Sequence, residues 1–253
     1  MPKSDRLAIV TGASSGIGHA VASLLLDRGW DVVGLSRREP DFHDGGYRHV
    51  QLDLSDVGGL VNEFEKNVAG LVADEDRARI GLVNNAAVTG RLGTIEGTDA
   101  EEALRTYAIN VVAPIWLMGF VARHARLGSA LRIVNVSSGA AKNPNPGMTE
   151  YTSSKAALRM ATLNAATDFG SEPLKGHMTP DVAVLSYEPG TVDTGMQVDA
   201  RSVSADVFPS APMFQRFHQE GMLVPPERPA GEMVAFLESE DPPRMEERRL
   251  GED

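Results

Sequence analysis

The chain alternates short apolar runs with segments of helical length. The runs have the length of strands, are apolar on both faces, and cover residues 7–12, 31–36, 49–54, 79–87, 131–138 and 181–190. Residues 17–29, 57–68, 99–126 and 151–169 are predicted helices. Strands that are apolar on both faces belong in a parallel sheet covered on each side, and right-handed crossovers make such a sheet doubly wound. The pattern therefore predicts an α/β fold, a single doubly wound parallel sheet with helices on both faces.

No linker rich in proline, glycine and serine divides the 253 residues, so we expect one Rossmann-type domain over residues 1–240. Residues 191–226 are rich in methionine, phenylalanine and proline and are expected to form an irregular excursion near the site. The last residues, MEERRLGED, are charged and lack the pattern of a strand. Residues 241–253 are therefore expected to form a frayed or disordered charged tail.

Composition argues against several classes of protein. The formal net charge of -11 at pH 7 opposes broad binding to nucleic acid or to an anionic membrane. The chain has no cysteine and its six histidines are scattered, so we expect neither disulfides nor a metal site. The first residues lack the apolar core of a signal peptide, and no apolar stretch is expected to approach the roughly 18 residues of a membrane helix. These features predict a cytoplasmic protein that binds neither nucleic acid nor membrane.

A glycine-rich segment, TGASSGIG, separates the first predicted strand from the first predicted helix. Glycine permits a tight turn and a close approach of backbone to a ligand, and the helix start offers free N–H groups and a positive dipole end to a pyrophosphate. The spacing, Gly-x-x-x-Gly-x-Gly, differs from the usual dinucleotide fingerprint. A closely packed turn that binds nothing is the alternative. The candidate cofactor contacts in this turn are Gly12, Ser14, Ser15, Gly16, Ile17 and Gly18.

Two arginines follow the second predicted strand. Sheets that bind NAD often place an acid there to hold the ribose 2′-hydroxyl, whereas this chain has Arg37 and Arg38. A guanidinium can hold a 2′-phosphate with paired hydrogen bonds. The arginines therefore favour NADP(H) over NAD(H), and the alternative is that both are solvated surface charges.

Tyr151 and Lys155 lie four residues apart at the start of the last predicted helix, which places them on one face. A tyrosine with a pKa near ~10 is a poor acid or base at neutral pH, but a nearby ammonium lowers that pKa. Tyr151 could then donate a proton to a carbonyl oxygen or accept one from an alcohol. On its own the spacing is common, and a surface pair is the alternative.

Ser138 and Asn110 are two further candidates. Ser138 ends the fifth predicted strand, at the sheet edge where ligands bind, and could hold a carbonyl oxygen or simply cap the loop. Asn110 lies four residues before Pro114, whose missing N–H frees the Asn110 carbonyl. That carbonyl could hold a water that links Lys155 to solvent, or the proline could be an ordinary kink.

Together these segments resemble the short-chain dehydrogenase/reductase family in its single-domain form, over about residues 5–240. Ser138 precedes Tyr151 by thirteen residues, the spacing usual in that family. One mild departure is Ala87, where the family usually has glycine. The segments that carry the resemblance are TGASSGIG, DL (residues 53–54), NNAA (residues 84–87), VSS ending at Ser138, YTSSK and PGTVDT (residues 189–194).

The resemblance implies a catalytic tetrad of Asn110, Ser138, Tyr151 and Lys155. Tyr151 would be the acid or base, Lys155 would lower its pKa and hold the nicotinamide ribose, Ser138 would steady the carbonyl, and Asn110 would hold a relay water. Asn84 would support the central sheet. The family commonly forms dimers or tetramers, so the resemblance implies a homodimer or homotetramer. The remaining implied cofactor contacts are Asp53, Leu54, Asn85, Ala86, Pro189, Gly190, Val192 and Thr194.

PGTVDTGMQ and GMLVPPERPA are similar to the branch that contains sepiapterin reductase and the benzil reductases, which implies an NADPH-dependent carbonyl reductase acting on a small ketone or diketone. Two alternatives remain: an NADP-dependent alcohol dehydrogenase running in the oxidative direction, and a cofactor-binding regulator without turnover. The substrate pocket is expected between residues 139–149, Glu188 and the stretch after Thr194. A mostly apolar pocket suits a neutral substrate. An apolar lid, or plain packing, is expected from Met196, Met213, Phe214 and Phe217.

Overall fold

A computed structural model describes residues 4–42, 45–170 and 181–252. The strands are β1 (Arg6–Thr11), β2 (Asp31–Ser36), β3 (Tyr47–Gln51), β4 (Arg79–Asn84), β5 (Ala130–Val136), β6 (Asp181–Glu188) and β7 (Met245–Arg249). The α-helices are α1 (Gly16–Asp27), α2 (Val57–Asn67), α3 (Ala69–Val72), α4 (Ala100–Tyr107), α5 (Ala113–His124), α6 (Thr149–Gly170), α7 (Gly195–Ser202), α8 (Ala211–Gln219) and α9 (Glu227–Glu238). Short 3₁₀ turns cover Ile95–Gly97 and Gly139–Ala141, and Ala108–Val112 form a π-helical turn.

The strands form one parallel sheet in the order β3-β2-β1-β4-β5-β6-β7. The order reverses between β1 and β4, and in sheets of this kind ligands bind at that point, beyond the carboxyl ends of the strands. Apolar clusters cover both faces of the sheet. Phe64 of α2 and Phe120 of α5 pack in one cluster, and Leu25 of α1 and Leu237 of α9 pack in the other. The predicted doubly wound sheet with helices on both faces is confirmed.

The predicted helix over residues 99–126 is divided. Its central turn is π-helical, and the N–H of Ala113 donates to the carbonyl of Ala108. Pro114 lies at the start of α5 and has no N–H to donate to the Asn110 carbonyl, so the helix widens in the turn before it. The proline therefore changes the type of helix rather than ending it.

The expectation of a frayed tail is wrong for β7. Backbone pairing joins β7 to β6, with Met245 opposite Val184 and Arg249 opposite Glu188. Charged side chains are compatible with this strand because it lies at the sheet edge, where side chains reach solvent, and Glu247 forms a salt bridge with Arg159 of α6. Asp253 of the predicted tail lies outside the described residues.

Two further expectations need correction. The excursion over residues 191–226 is not wholly irregular, because it contains α7 and α8. The helical run Ala100–His124 is, by length and composition alone, apolar enough to cross a membrane, so the expectation that no stretch approaches that length is wrong. Half of its most apolar segment is buried inside the protein, where Leu117 and Phe120 pack in the core. Buried core helices can be as long and as apolar as helices that cross a membrane.

Candidate active site

The glycine turn leaves backbone open to a cleft at the carboxyl ends of the strands. Gly12 and Gly16 have positive φ angles of 71° and 55°, a region that favours glycine. A Cβ on Gly18 would collide with the carbonyl of Gly12, so this glycine permits close packing of the turn. Ser15 precedes α1 without capping it through its side chain. The Ser15 side chain therefore does not occupy the first N–H groups of α1. A pyrophosphate needs such N–H groups as hydrogen-bond donors.

Thr11 joins the glycine turn to the end of β4. Its hydroxyl accepts hydrogen bonds from the N–H groups of Asn85 and Ala86, both at 2.9 Å, and the Asn85 amide donates to the Thr11 carbonyl at 2.9 Å. Deeper in the sheet, the side chain of Asn84 donates to that of Asn135 on β5 at 2.8 Å. Buried polar bonds of this kind specify the geometry of the sheet edge that supports the cleft.

The part of the cleft formed by residues after β2 and β3 is polar. Arg37 and Arg38 are exposed and form no salt bridge with the residues that the structure describes. Asp53 accepts hydrogen bonds from the backbone and hydroxyl of Ser55 at 2.9 and 2.8 Å, and these bonds lower the pKa of its carboxyl. Arg105 lowers that pKa further. Two free guanidinium groups beside a fixed carboxylate suit the phosphorylated ribose and adenine of a dinucleotide.

Ser138, Tyr151 and Lys155 line the same cleft. Against the expectation of a pKa lowered by Lys155, burial raises the pKa of the Tyr151 phenol, and the Ser138 side chain opposes that change. Lys155 donates to the Val136 carbonyl at 2.8 Å, and its ammonium lies 5.8 Å from the centre of the Tyr151 ring. Burial lowers the pKa of Lys155 to about 8. The site can therefore hold the protonated phenol of Tyr151 beside a Lys155 ammonium whose pKa is only slightly above neutral pH.

Asn110 lies behind this group rather than on the cleft wall, and its side chain is fully buried. Its amide accepts from the N–H of Val88 at 2.9 Å and donates to the Val88 carbonyl at 2.8 Å. It also donates to the Ser154 hydroxyl at 2.9 Å, which donates in turn to the Tyr151 carbonyl at 2.8 Å. The side chain of Asn110 therefore ties the segment after β4 to the turn of α6 that carries Tyr151. Its part in a water relay stays a prediction.

The cleft has a volume of about 1150 Å³. Among the predicted cofactor contacts, Gly18 is the one that does not line it. The predicted lid residues line it too, and Phe214 packs on Phe208 beneath α8. A parallel β-bridge between Val192 and Val224 joins the two ends of the segment that covers residues 191–226. The structure thus brings the glycine turn, the arginines, the tyrosine and the lid to one cavity.

Several cleft residues are absent from the sequence prediction. Val88, Thr89 and Gly90 follow β4, Glu102 and Arg105 belong to α4, and Arg228, Arg249 and Leu250 come from α9 and the end of the chain. The sequence signal for the last group is weak, because MEERRL has apolar residues only at its two ends. Within residues 4–42, 45–170 and 181–252, no three His, Cys, Asp or Glu side chains are grouped as metal ligands. Two of the six histidines, His43 and His177, lie outside those ranges.

Comparison with known proteins agrees with this geometry. A family model described as short chain dehydrogenase matches residues 6–204. A benzil reductase ((S)-benzoin forming) of Bacillus subtilis (strain 168) is 34% identical over 92% of this chain and 93% of its own length, and one of Bacillus cereus is 32% identical over 98% and 100%. A solved short chain dehydrogenase from Burkholderia cenocepacia J2315, in complex with NADP, is 25% identical over 97% of this chain and 96% of its own, with a TM-score of 0.71.

Proposed function

This chain belongs to the short chain dehydrogenase family, and we propose that it is an NADPH-dependent carbonyl reductase that acts on a small ketone or vicinal diketone. The observation that carries the proposal is that Ser138, Tyr151 and Lys155 line one cleft, with the Lys155 ammonium 5.8 Å from the centre of the Tyr151 ring. The two benzil reductase relatives, which match nearly the whole chain, support the carbonyl reductase assignment.

Bound NADPH supplies the hydride that reduces the carbonyl carbon. Tyr151 donates its phenolic proton to the carbonyl oxygen, and burial, by raising the phenol pKa, keeps that proton in place until it is needed. Ser138 holds the carbonyl oxygen beside the phenol. The Lys155 ammonium stabilises the phenolate that remains on Tyr151 after the transfer.

The preference for NADPH over NADH rests on Arg37 and Arg38. Both side chains are exposed on the cleft wall after β2, where they can reach a ribose 2′-phosphate. The NADP complex of the Burkholderia relative supports this assignment. The glycine turn and the uncapped start of α1 fit the pyrophosphate of either nucleotide.

We also propose that the protein is a homodimer or homotetramer. Large apolar side chains are exposed on the helical run and on α6, at Leu104, Val112, Ile115 and Met160. Exposed apolar groups in one region mark surfaces that bind another protein.

The proposed function is tested with purified protein, NADPH and a panel of ketones and vicinal diketones, by following the loss of NADPH absorbance near ~340 nm. We expect turnover with wild type and a decrease in kcat of about 100-fold or more for Tyr151→Phe. Unchanged turnover by Tyr151→Phe would contradict the proposed acid. Tight NADPH binding without turnover of any carbonyl compound would instead favour the regulator, and oxidation of alcohols alone would favour the dehydrogenase.

A further inference from the structure

A carboxylate that the proposed mechanism does not use lies beside Ser138. Glu188 ends β6, and β6 is aligned with β5 so that the N–H of Ser137 donates to the carbonyl of Tyr187 at 2.7 Å. The side chain of Glu188 is 13% exposed. Its Oε2 would lie 4.0 Å from a Cβ placed on Gly139, the residue after Ser138. Glu188 therefore forms part of the cleft wall where the reacting carbonyl is expected.

The other oxygen of Glu188 is held from behind. The ammonium of Lys142 lies 2.7 Å from Glu188 Oε1 and 3.9 Å from Glu247 Oε1. Glu247 is fixed in turn by two contacts with Arg159, at 2.6 and 2.7 Å. Glu188 lines the cleft, whereas Lys142 and Glu247 do not. This chain of ion pairs sets the position of Glu188 without approaching the substrate.

Oε2 of Glu188 has no hydrogen bond or ion pair with the part of the chain that the structure describes. The neighbouring loop contributes neutral cleft residues, which are Gly139, Ala140, Asn143, Asn145 and Met148. Arg249, opposite Glu188 on β7, also lines the cleft but forms no ion pair with Glu188 in the described part of the chain. Removing an ion pair from water is costly, and the attraction within the pair seldom exceeds that cost. A contribution of the Lys142 ion pair to folding stability therefore does not explain why Glu188 is mostly buried while its Oε2 has no partner.

We propose that Glu188 is a specificity-determining residue whose free oxygen accepts a hydrogen bond from a hydroxyl group on the carbon next to the reacting carbonyl. The inference rests on the proposed reductase function and, among the small ketones, assigns a preference for α-hydroxy ketones; a vicinal diketone has no such hydroxyl and gains no hydrogen bond from Glu188. A site built to accept such a bond discriminates against the same ketone without the hydroxyl, because the acceptor would then lose its water without gaining a partner.

A matched pair of substrates tests this. The pair is 1-hydroxy-1-phenylpropan-2-one and 1-phenylpropan-2-one, which share the reacting ketone and differ in one hydroxyl. With wild type we expect kcat/KM to favour the hydroxy ketone by about tenfold or more. Glu188→Met removes the acceptor at similar length and should bring the ratio close to one. Glu188→Gln keeps an acceptor oxygen and should give an intermediate ratio.

Glu75→Gln is the control, since Glu75 also pairs with a cation, Arg126, but is exposed and does not line the cleft, and this change should leave the ratio unchanged. The affinities of the variants for 1-phenylpropane-1,2-diol, measured by calorimetry without turnover, should fall in the same order. A wild-type ratio near one, or a ratio that Glu188→Met does not change, would overturn the inference and leave the reductase function standing. Absence of turnover with every carbonyl compound would overturn both. Circular dichroism checks folding, and Glu188→Gln still decides the result if Glu188→Met does not fold.

Discussion

The side chain of Asn110 holds both backbone polar groups of Val88, accepting from its N–H at 2.9 Å and donating to its carbonyl at 2.8 Å. Val88 lines the cleft, and Asn110 does not. A residue in the π-helical turn therefore fixes one wall of the cleft from behind, and through Ser154 it also contacts the turn of α6 that carries Tyr151.

Asn110→Ala is expected to lower both stability and activity. The substitution leaves the polar groups of Val88 without their partner, which costs about 1–3 kcal/mol for buried groups. Urea unfolding should show that loss, and kcat should fall because the wall beside Tyr151 is no longer fixed. Asn67→Ala is a control, since Asn67 is exposed and its amide bonds Glu63 at the surface. Wild-type stability in Asn110→Ala would contradict the role described here.

Replacing Arg37 and Arg38 together with alanine should weaken NADPH binding by about tenfold or more and leave NADH binding nearly unchanged. A charge-assisted hydrogen bond to phosphate contributes about 1.5–3 kcal/mol, and the 2′-phosphate is absent from NADH. Fluorescence titration with each nucleotide measures both constants. Arg48→Ala, on the exposed side of β3 and away from the cleft, should affect neither. Equal weakening of both nucleotides would show that these arginines do not read the phosphate.

Ketone reduction should slow as pH rises through about 8. Burial lowers the pKa of Lys155 to about 8, so the side chain is an ammonium below that pH and neutral above it. The neutral amine no longer stabilises the phenolate that proton transfer leaves on Tyr151. The profile of kcat against pH at saturating NADPH tests this. Lys155→Met should be slow and lack the decrease near pH 8, and the same decrease in that variant would assign it to another group.

Gly18→Ala is expected to destabilise the protein, because its Cβ would meet the Gly12 carbonyl inside the turn. A collision with backbone forces the turn to shift, so we expect a lower Tm and weaker binding of both NADPH and NADH. Gly231→Ala in α9 is the matched control, since a Cβ there meets no atom within 4 Å. That change should be neutral or stabilise α9 by roughly 0.5–1 kcal/mol through helix propensity. A wild-type Tm for Gly18→Ala would contradict the proposed packing.

Local pattern was enough to place β1 to β6, the glycine turn, and Tyr151 with Lys155 on α6, because each depends on the spacing of residues close together in the chain. Boundaries were less well predicted. The third strand was expected over residues 49–54 and spans Tyr47–Gln51, since pairing with β2 rather than apolar content decides where it begins and ends.

Long-range contacts decided the rest. β7 is a run of mostly charged residues that pairs as a strand with the backbone of β6, and Glu247 on it accepts hydrogen bonds from Arg159. Asn110 in the π-helical turn reaches Val88, and Glu188, which lines the cleft, is paired with Lys142 from a different segment of the chain. Local periodicity and motif spacing were enough to predict the first six strands, the parallel class of the sheet and the residue types of the site. Which side chains share the cleft was decided by tertiary structure, because those contacts join residues far apart in the chain.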